Sequence, residues 1–582
     1  MFSIKRFDFD SSAPGKISRL SIDNKKVGEN WPVVYVINND EEAYIGETVS
    51  AYRRTEQHLQ NKDRQRLTEI RIISDDGFNK SVVLDLESFL IKHMSSDGRY
   101  RLQNGNAGLQ NHDYYDKQKY ENDFRKIWNE LLKEGIVSNT IDEIENSELY
   151  KYSPYKSLGK EQRDAELEIV KALSEYKRKD RRTTILVRGG AGTGKTILAI
   201  YLIKLFVDVE LNTNWEIDSE EYSDETAEAI YVADNITGIK KIGLVVPQKS
   251  LKTSLKEVFK TVNGLDESMV IGPTEVVDDY IKTGEKYDLL LVDEAHRLKC
   301  RNKGHLSQYP KFDQCNKLLG LDKHMGTELD WILECSENQI LFRDELQTVR
   351  PCDIDAERFT TILKEDKNAA LITTALSTQW RCQGGNDYVN YINDILSCKP
   401  VSKRDFENYD VRMFRDVDKM IRSIKAKDAE MGLCRVVAGY AWPWYTDKRK
   451  RKKHPEWPDY DIRIQGHEYC WNSTYDNWIG KKNSINEIGC IHTVQGYDLN
   501  YSGVIIGEDI KYDTSSGMIV SDKANYWDQQ GKSGIADNPE LLRDYLINIY
   551  LTLMTRGIKG TYIYVCDDAL REYMEQFFEV EE

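Results

Sequence analysis

The sequence predicts an α/β protein: a small mixed α+β block at the amino end, then two domains built on parallel sheets. Three stretches predict it. Ile185–Val187 is a short apolar run, followed by Gly189-x4-Gly194-Lys195-Thr196 and an apolar helical pattern from Ile197 to Phe206. That order is strand, glycine loop, helix. Tyr287 to Val292 is an apolar strand ending in two adjacent carboxylates, Asp293 and Glu294. Near the amino end, Trp31–Ile37 and Ala43–Gly46 flank the turn Asn38–Glu42, as the arms of a hairpin do.

Composition narrows the class. The 582 residues suggest about four domains of ordinary size. With 40% hydrophobic and 31% charged residues the chain reads as globular. No apolar run approaches the ~18 residues a bilayer span needs. Met1-Phe-Ser-Ile-Lys-Arg6 lacks the apolar core of a secretory signal, so a cytoplasmic protein with no membrane contact is expected. The net charge of −16 argues against coating nucleic acid with the whole surface, but is compatible with a local basic track. Ten cysteines, all at or after Cys300, form no C-x-x-C pair. Reduced thiols follow, rather than a zinc or disulfide framework. His296, Cys300 and His305 are near one another at a spacing that fits no zinc module.

The glycine loop has a direct chemical reading. Gly189, Gly190, Ala191, Gly192, Thr193 and Gly194 let backbone N–H groups wrap phosphate oxygens at a helix N-terminus. Lys195 is expected to reach the β- and γ-phosphates of ATP, and Thr196 to ligate Mg²⁺. Asp293 would hold the same ion, and Glu294 would polarise the attacking water. Gln347, beyond the strand Gln339–Phe342, is placed to sense the γ-phosphate. Gln162, on a helix ahead of the loop, can bind an adenine edge through its amide.

Further strands are expected at Lys241–Pro247, Cys434–Gly439, Gly503–Ile506 and Thr561–Val565, with an apolar helix at Leu546–Arg556. They make a second α/β domain with no phosphate loop of its own. It would supply Arg381 and Arg556 as catalytic arginines to ATP held by the first. Glu210–Asp234 reads as an exposed acidic insertion. Lys448–His454 is strongly basic and flanked by Trp442, Trp444, Tyr445 and Trp457. Such a mixture attracts phosphate and can stack on single-stranded bases.

The amino block carries a second set. Tyr35 and Tyr44 sit on the hairpin. Arg54 and His58 share a face of the helix Ser50–Gln60, and Glu87 is expected near the start of the helix Leu84–His93. One carboxylate suffices for a largely hydrated Mg²⁺. Arg54 can stabilise charge on a phosphodiester, and either a tyrosine or the histidine can manage the proton of the attacking water.

Residues 31–105 resemble the GIY-YIG nuclease family. Val33-Val-Tyr35 stands for the first triplet, with valine in place of the first glycine, and Tyr44-Ile-Gly46 for the second. The resemblance implies catalytic Tyr35, Tyr44, Arg54 and His58, metal-binding Glu87, and a late asparagine at Asn104 or Asn106. Residues 155–582 resemble a superfamily 1 helicase core of two RecA-like domains. Gln162, Gly189–Thr196, Asp293–His296, Asp344–Gln347, Arg381, His492–Asp498 and Thr555–Arg556 carry that resemblance in order. Val436–Trp444 is similar to bacterial P-loop ATPases joined to nucleases, and Schlafen helicase-like regions are more distant kin.

The implied layout is a nuclease domain at 1–110, a helical connector at 111–154, and RecA-like domains at 155–350 and 351–582, the second with an insertion near 442–480. The implied activity is an ATP-dependent nucleic-acid motor coupled to a Mg²⁺-dependent endonuclease, in phage defence or DNA processing. DNA is favoured over RNA, and a protein partner or self-association is left open. The alternative is an ATP-gated sensor that does not travel, its nuclease-like block only binding. The segment Leu251–Asp288 is too short for the large inserted subdomain of processive helicases, so unwinding is less strongly implied than ATP hydrolysis.

Overall fold

The computed structural model describes all residues except 1, 23–24, 105–113, 156–157, 180, 211–227, 229–230, 234–235, 237, 302–308, 345–351, 448–450, 475–477, 495–497, 530 and 534. The chain divides into two compact units. One comprises Met1–Glu175, Ile197–Leu244 and Lys252–Val270. The other comprises Tyr176–Thr196, Val245–Leu251 and Ile271–Glu582.

The first unit contains a five-stranded sheet. Its strands are β1 (Ser3–Asp8), β2 (Val33–Asn38), β3 (Glu42–Thr48), β4 (Glu69–Ser74) and β5 (Arg101–Leu102), in spatial order β1-β4-β2-β3-β5. Only β3–β5 is parallel; the other neighbours are antiparallel. The expected hairpin is β2–β3. Strands β1 and β4 were not anticipated, although the run Glu-Ile-Arg-Ile-Ile-Ser in β4 carries three strand-favouring isoleucines, Ile70, Ile72 and Ile73. Helix α1 (Ala51–Gln60) follows the hairpin, and α2 (Lys80–Asp97) follows β4. Helix α2 starts earlier than expected because Asn79 caps it, accepting from the Val82 N–H. Glu87 is therefore a mid-helix residue and not one near the helix start. The connector is helical: α3 (Lys117–Lys133) buries Phe124, Ile127, Trp128 and Leu131 along one face. Helix α4 (Lys160–Arg178) follows.

The second unit holds two parallel sheets. In the first, β6 (Arg182–Gly189), β7 (Tyr287–Val292), β8 (Ser336–Arg343) and β9 (Ala369–Leu376) lie in the order β7-β8-β6-β9, all parallel. Beyond β7 the ladder continues, with the Asp293 N–H donating to Val245 O and the Val246 N–H to Ile271 O. Leu289–Val292 are fully buried, as a strand covered on both faces requires. The chain leaves β6 through the glycine loop and enters α5 (Lys195–Glu210).

The second sheet has six strands, all parallel. They are β10 (Asp410–Phe414), β11 (Cys434–Ala438), β12 (Ile488–Cys490), β13 (Leu499–Ile506), β14 (Gly557–Val565) and β15 (Glu579–Glu581), in order β12-β11-β13-β14-β10-β15. Thr561–Val565 is thus not the last strand. β15 follows it and pairs with β10, joined by Arg412 to Glu581 at 2.8 Å. Helices α6 (Gly385–Leu396), α7 (Val417–Met431) and α8 (Pro539–Met554) belong to this half. Two parallel-sheet domains are the arrangement of RecA-like helicase folds. No described helix is long and apolar enough to cross a membrane. All ten cysteines are free.

Candidate functional site

The glycine loop sits at the carboxyl end of β6, where open α/β sheets bind ligands. Gly192 and Gly194 have φ of +78° and +81°, which glycine adopts without strain. Lys195 Nζ donates to Gly189 O and Gly190 O at 2.8 and 2.7 Å, and lies 3.8 Å from Asp344 Oδ2. Thr196 Oγ1 donates to Asp293 Oδ2 at 2.7 Å. Lys195, Thr196, Asp293 and Asp344 are thus gathered at three neighbouring strand ends.

Asp293 is fully buried. Burial, then the adjacent Glu294, push its carboxyl well above the usual carboxylate range. The Glu294 N–H and the Thr196 hydroxyl are its hydrogen-bond donors. A buried carboxylate beside a hydroxyl, disfavoured as an anion by its surroundings, fits a divalent cation that keeps most of its waters. Among the described residues no group of three His, Cys, Asp or Glu could hold a metal ion; His305 lies outside them.

Glu294 is turned by a left-handed backbone, φ +51°, an uncommon conformation for a non-glycine residue and one concentrated at functional sites. Burial works against its charge, but His296, Lys195 and Arg297 outweigh that and hold its carboxyl below the usual range. His296 is fully buried, with Nε2 3.0 Å from Glu294 Oε2. Its Nδ1 accepts from the Asp344 N–H at 3.3 Å.

A cavity of about 240 Å³ opens beside the loop. Gly190, Ala191, Thr193, Asp344, Leu376 and Gln379 line one side. Asn386 and Asn390 of α6, with Thr552 and Thr555 at the end of α8, line the other. Elements of both parallel-sheet domains therefore face the same space.

Gln379 was not anticipated. Its Nε2 donates to Ala191 O, its Oε1 accepts from the Arg381 N–H at 2.8 Å, and the next N–H, of Trp380, donates to Gly192 O at 2.9 Å. A Cβ on Gly192 would collide with the Gln379 amide, a second reason for glycine there. Only its place two residues before Arg381 hinted at it.

Arg381 is brought to this loop, and its guanidinium pairs with Asp498. Arg556 is 1% exposed and does not line the cavity; its neighbour Thr555 does. Gln162 accepts from the Gly159 N–H at 2.9 Å, so its amide oxygen is engaged in its own helix turn. Gln347 lies outside the described residues, as do Lys448–Lys450 and most of the acidic insertion.

The aromatics near the basic run were expected to meet bases. Within the chain these rings are half-buried and meet one another. His454 stacks on Trp457 at 4.4 Å, Tyr445 meets Trp457 at 5.4 Å, and Tyr440 and Trp442 pack on buried Trp471. Arg451 pairs with Asp459.

In the first unit the hairpin places Tyr35 opposite Gly46 and Ile37 opposite Tyr44. Both tyrosines therefore share one face, with ring centroids 6.3 Å apart. The Tyr35 phenol lies over Gly46, where any Cβ would strike it. Tyr35 Oη is 2.7 Å from His58 Nε2, and Arg54 Nε donates to the same oxygen at 3.4 Å. Arg64, absent from the sequence reading, contacts His58 Nδ1 and stacks 3.6 Å over the Tyr44 ring. Burial, then Arg64 and Arg54, push His58 down to about 2. Burial, then Tyr44, raise the Tyr35 phenol, with Glu87 adding to the rise and Arg54 opposing it. Asn104 spends its amide on the Ile45 backbone, accepting from N–H at 3.1 Å and donating to O at 2.8 Å. Asn106 lies outside the described residues.

The family model for the Schlafen group 3 DNA/RNA helicase domain matches residues 182–567. The chain belongs to that family. The Schlafen relation, expected to be distant, thus reaches into both parallel sheets and leaves out only β15 of the second. An uncharacterized protein of Saccharomyces cerevisiae is 26% identical over 418 residues, 69% of this chain and 86% of its own. The Pif1 helicase from Candida albicans is similar at 10% identity and a TM-score of 0.28, covering 72% of this chain and 99% of that one. That resemblance is too slight to carry argument. The family match places a helicase-like P-loop fold on residues 182–567, and such a fold implies ATP, usually with Mg²⁺.

Proposed function

We propose that the chain is an ATP-driven nucleic-acid motor coupled to a Mg²⁺-dependent endonuclease, with residues 1–110 as the nuclease and 155–350 and 351–582 as the motor. The observation that carries the motor reading is the gathering of Lys195 and the Thr196–Asp293 pair with Asp344, which itself lines a cavity that the glycine loop, α6 and α8 also line. Gly189–Gly194 and Lys195 would hold the phosphates, and Gln162 the adenine. Asp293 and Thr196 would hold Mg²⁺, which when bound supplies positive charge against the phosphates. Glu294 would orient the attacking water and take its proton, held ready by His296. Arg381 and Arg556 would add charge from the second domain as the two close, and Gln347 would report the γ-phosphate.

The nuclease reading is supported by Tyr35, Tyr44, Arg54 and His58 clustering on one face of the hairpin, with Glu87 close enough to act on Tyr35. Glu87 would hold that site's Mg²⁺.

The deciding experiment incubates the protein with Mg²⁺, with and without ATP, on single-stranded, duplex and forked DNA and on RNA. ATP turnover and strand cleavage are both followed. Stimulated ATP turnover that Lys195→Ala abolishes, and cleavage that Glu87→Ala abolishes, are expected. Protein that consumes no ATP on any of these substrates would falsify the motor reading. Cleavage indifferent to Glu87→Ala removes the nuclease.

A further inference from the structure

We propose that Arg64 is a positioning residue that holds His58 as its Nε2–H tautomer, so that His58 donates to Tyr35 and leaves Tyr35 as the proton acceptor of that site. The role rests on the nuclease reading for its chemistry; the tautomer does not.

A guanidinium offers five N–H donors and no acceptor. Arg64 contacts His58 Nδ1, so that nitrogen must be the unprotonated one. The ring proton of a neutral imidazole then sits on Nε2, which faces Tyr35 Oη at 2.7 Å. The same Arg64 nitrogen stands 3.5 Å from Nε2, too far to compete with the phenol. The groups that reach His58 are Tyr35 and Tyr44 on the hairpin, Arg54 on its own helix and Arg64 in the turn that follows.

Arg64 is fixed well enough to act this way. Its N–H donates to Asn61 O at 3.2 Å, and its own carbonyl accepts from the Leu67 N–H at 3.0 Å. Its guanidinium carbon lies 3.6 Å from the centroid of the Tyr44 ring, within cation–π range.

The consequence falls on Tyr35. Its oxygen takes N–H bonds from His58 and from Arg54, and both favour the phenolate against the burial that raises the phenol. In hydrolysis of a phosphodiester the phenolate would accept a proton from water. The water oxygen would form the new P–O bond, and the leaving oxygen would depart with the electron pair of the old one. His58 cannot take that proton through Nε2 while Arg64 faces Nδ1.

The test uses the full chain labelled with [¹⁵N]histidine and a long-range ¹⁵N–¹H correlation, His58 being assigned by its loss in His58→Gln. The native protein should show Nε2–H alone. Arg64→Lys, also donor-only, should keep it. Arg64→Leu should let the Nδ1–H form appear. Its ATP turnover should stay native, which checks the fold. On a cleavable substrate its kcat should fall by about tenfold to a hundredfold with KM unchanged, the usual cost of losing an orienting partner. Nδ1–H in the native protein, or Nε2–H alone in Arg64→Leu, overturns the proposal. A native chain that cleaves nothing with Mg²⁺ while showing Nε2–H rejects the nuclease reading and leaves the tautomer assignment standing.

Discussion

His58 and His296 make an informative pair. Both are buried, both are contacted at Nδ1 by a donor, and both present Nε2 to an oxygen. What differs is the charge around them. His58 has two arginines and a neutral phenol; His296 has a backbone N–H and the carboxylate of Glu294. In the tyrosine cluster the ring is kept uncharged, and its N–H serves an oxygen whose ionisation burial opposes. In the glycine-loop cluster the ring lies beside an oxygen whose charge it helps to hold against burial. The same heterocycle thus serves two different oxygens, and what surrounds each decides how readily it ionises.

The largest effects should come from the oxygens these rings face. Glu294→Gln keeps the shape and removes the proposed base. ATP turnover should fall by about 10²–10⁴-fold with nucleotide binding retained, as loss of a general base does. Phosphate release and binding of a fluorescent nucleotide measure the two. Tyr35→Phe should lower strand cleavage by a similar factor and leave ATP turnover untouched. If either substitution crosses over to the other activity, the two clusters are not the separate centres the comparison assumes.

The two clusters differ as sharply in how far the sequence reveals them. The loop residues, Asp293 and Glu294 are contiguous with strongly apolar strands, so their convergence follows from strand order in a parallel sheet. The hairpin was equally visible, because Tyr35 and Tyr44 fall on one face of a short two-strand unit. Arg64 was not, because a cation in a turn carries no periodicity to say where it points. Gln379 was missed for a related reason: it works through main-chain atoms of a segment far away in the chain. The aromatics around the basic run were visible in composition, but their mutual packing was not: tertiary structure pairs them with Trp457 and Trp471. Arg556 is named by its motif, yet burial at the end of α8 is a property no motif announces.

A smaller effect isolates the histidine itself. His296→Ala removes the first of the partners that hold Glu294 down against burial. Its carboxyl should then titrate higher. With Glu294 in the proposed role of base, turnover lost on acidification should be lost at higher pH than in the native chain, with the alkaline limb unmoved. A pH–rate profile of ATP hydrolysis reads this directly. An acid limb that stays in place would mean that Lys195 and Arg297 suffice and that His296 only packs.

The smallest effect concerns how the loop and the arginine are held in register. Gln379 bridges Ala191 O and the Arg381 N–H, so one side chain ties the glycine loop to the segment that carries Arg381. Gln379→Ala leaves Lys195, Thr196 and Asp293 in place and loosens that segment. A lost hydrogen bond of ordinary strength, about 0.5–1.5 kcal/mol, translates to about a twofold to tenfold decrease in rate. It should appear in kcat and not in KM, because in its proposed role Arg381 acts when charge develops and not when ATP docks. Gln379→Glu sharpens the result. It keeps an acceptor for the Arg381 N–H but can no longer donate to Ala191 O when ionised, so it should lose the loop contact alone. A KM effect with normal kcat in either variant would show that Gln379 shapes the phosphate pocket and leaves the arginine to Asp498.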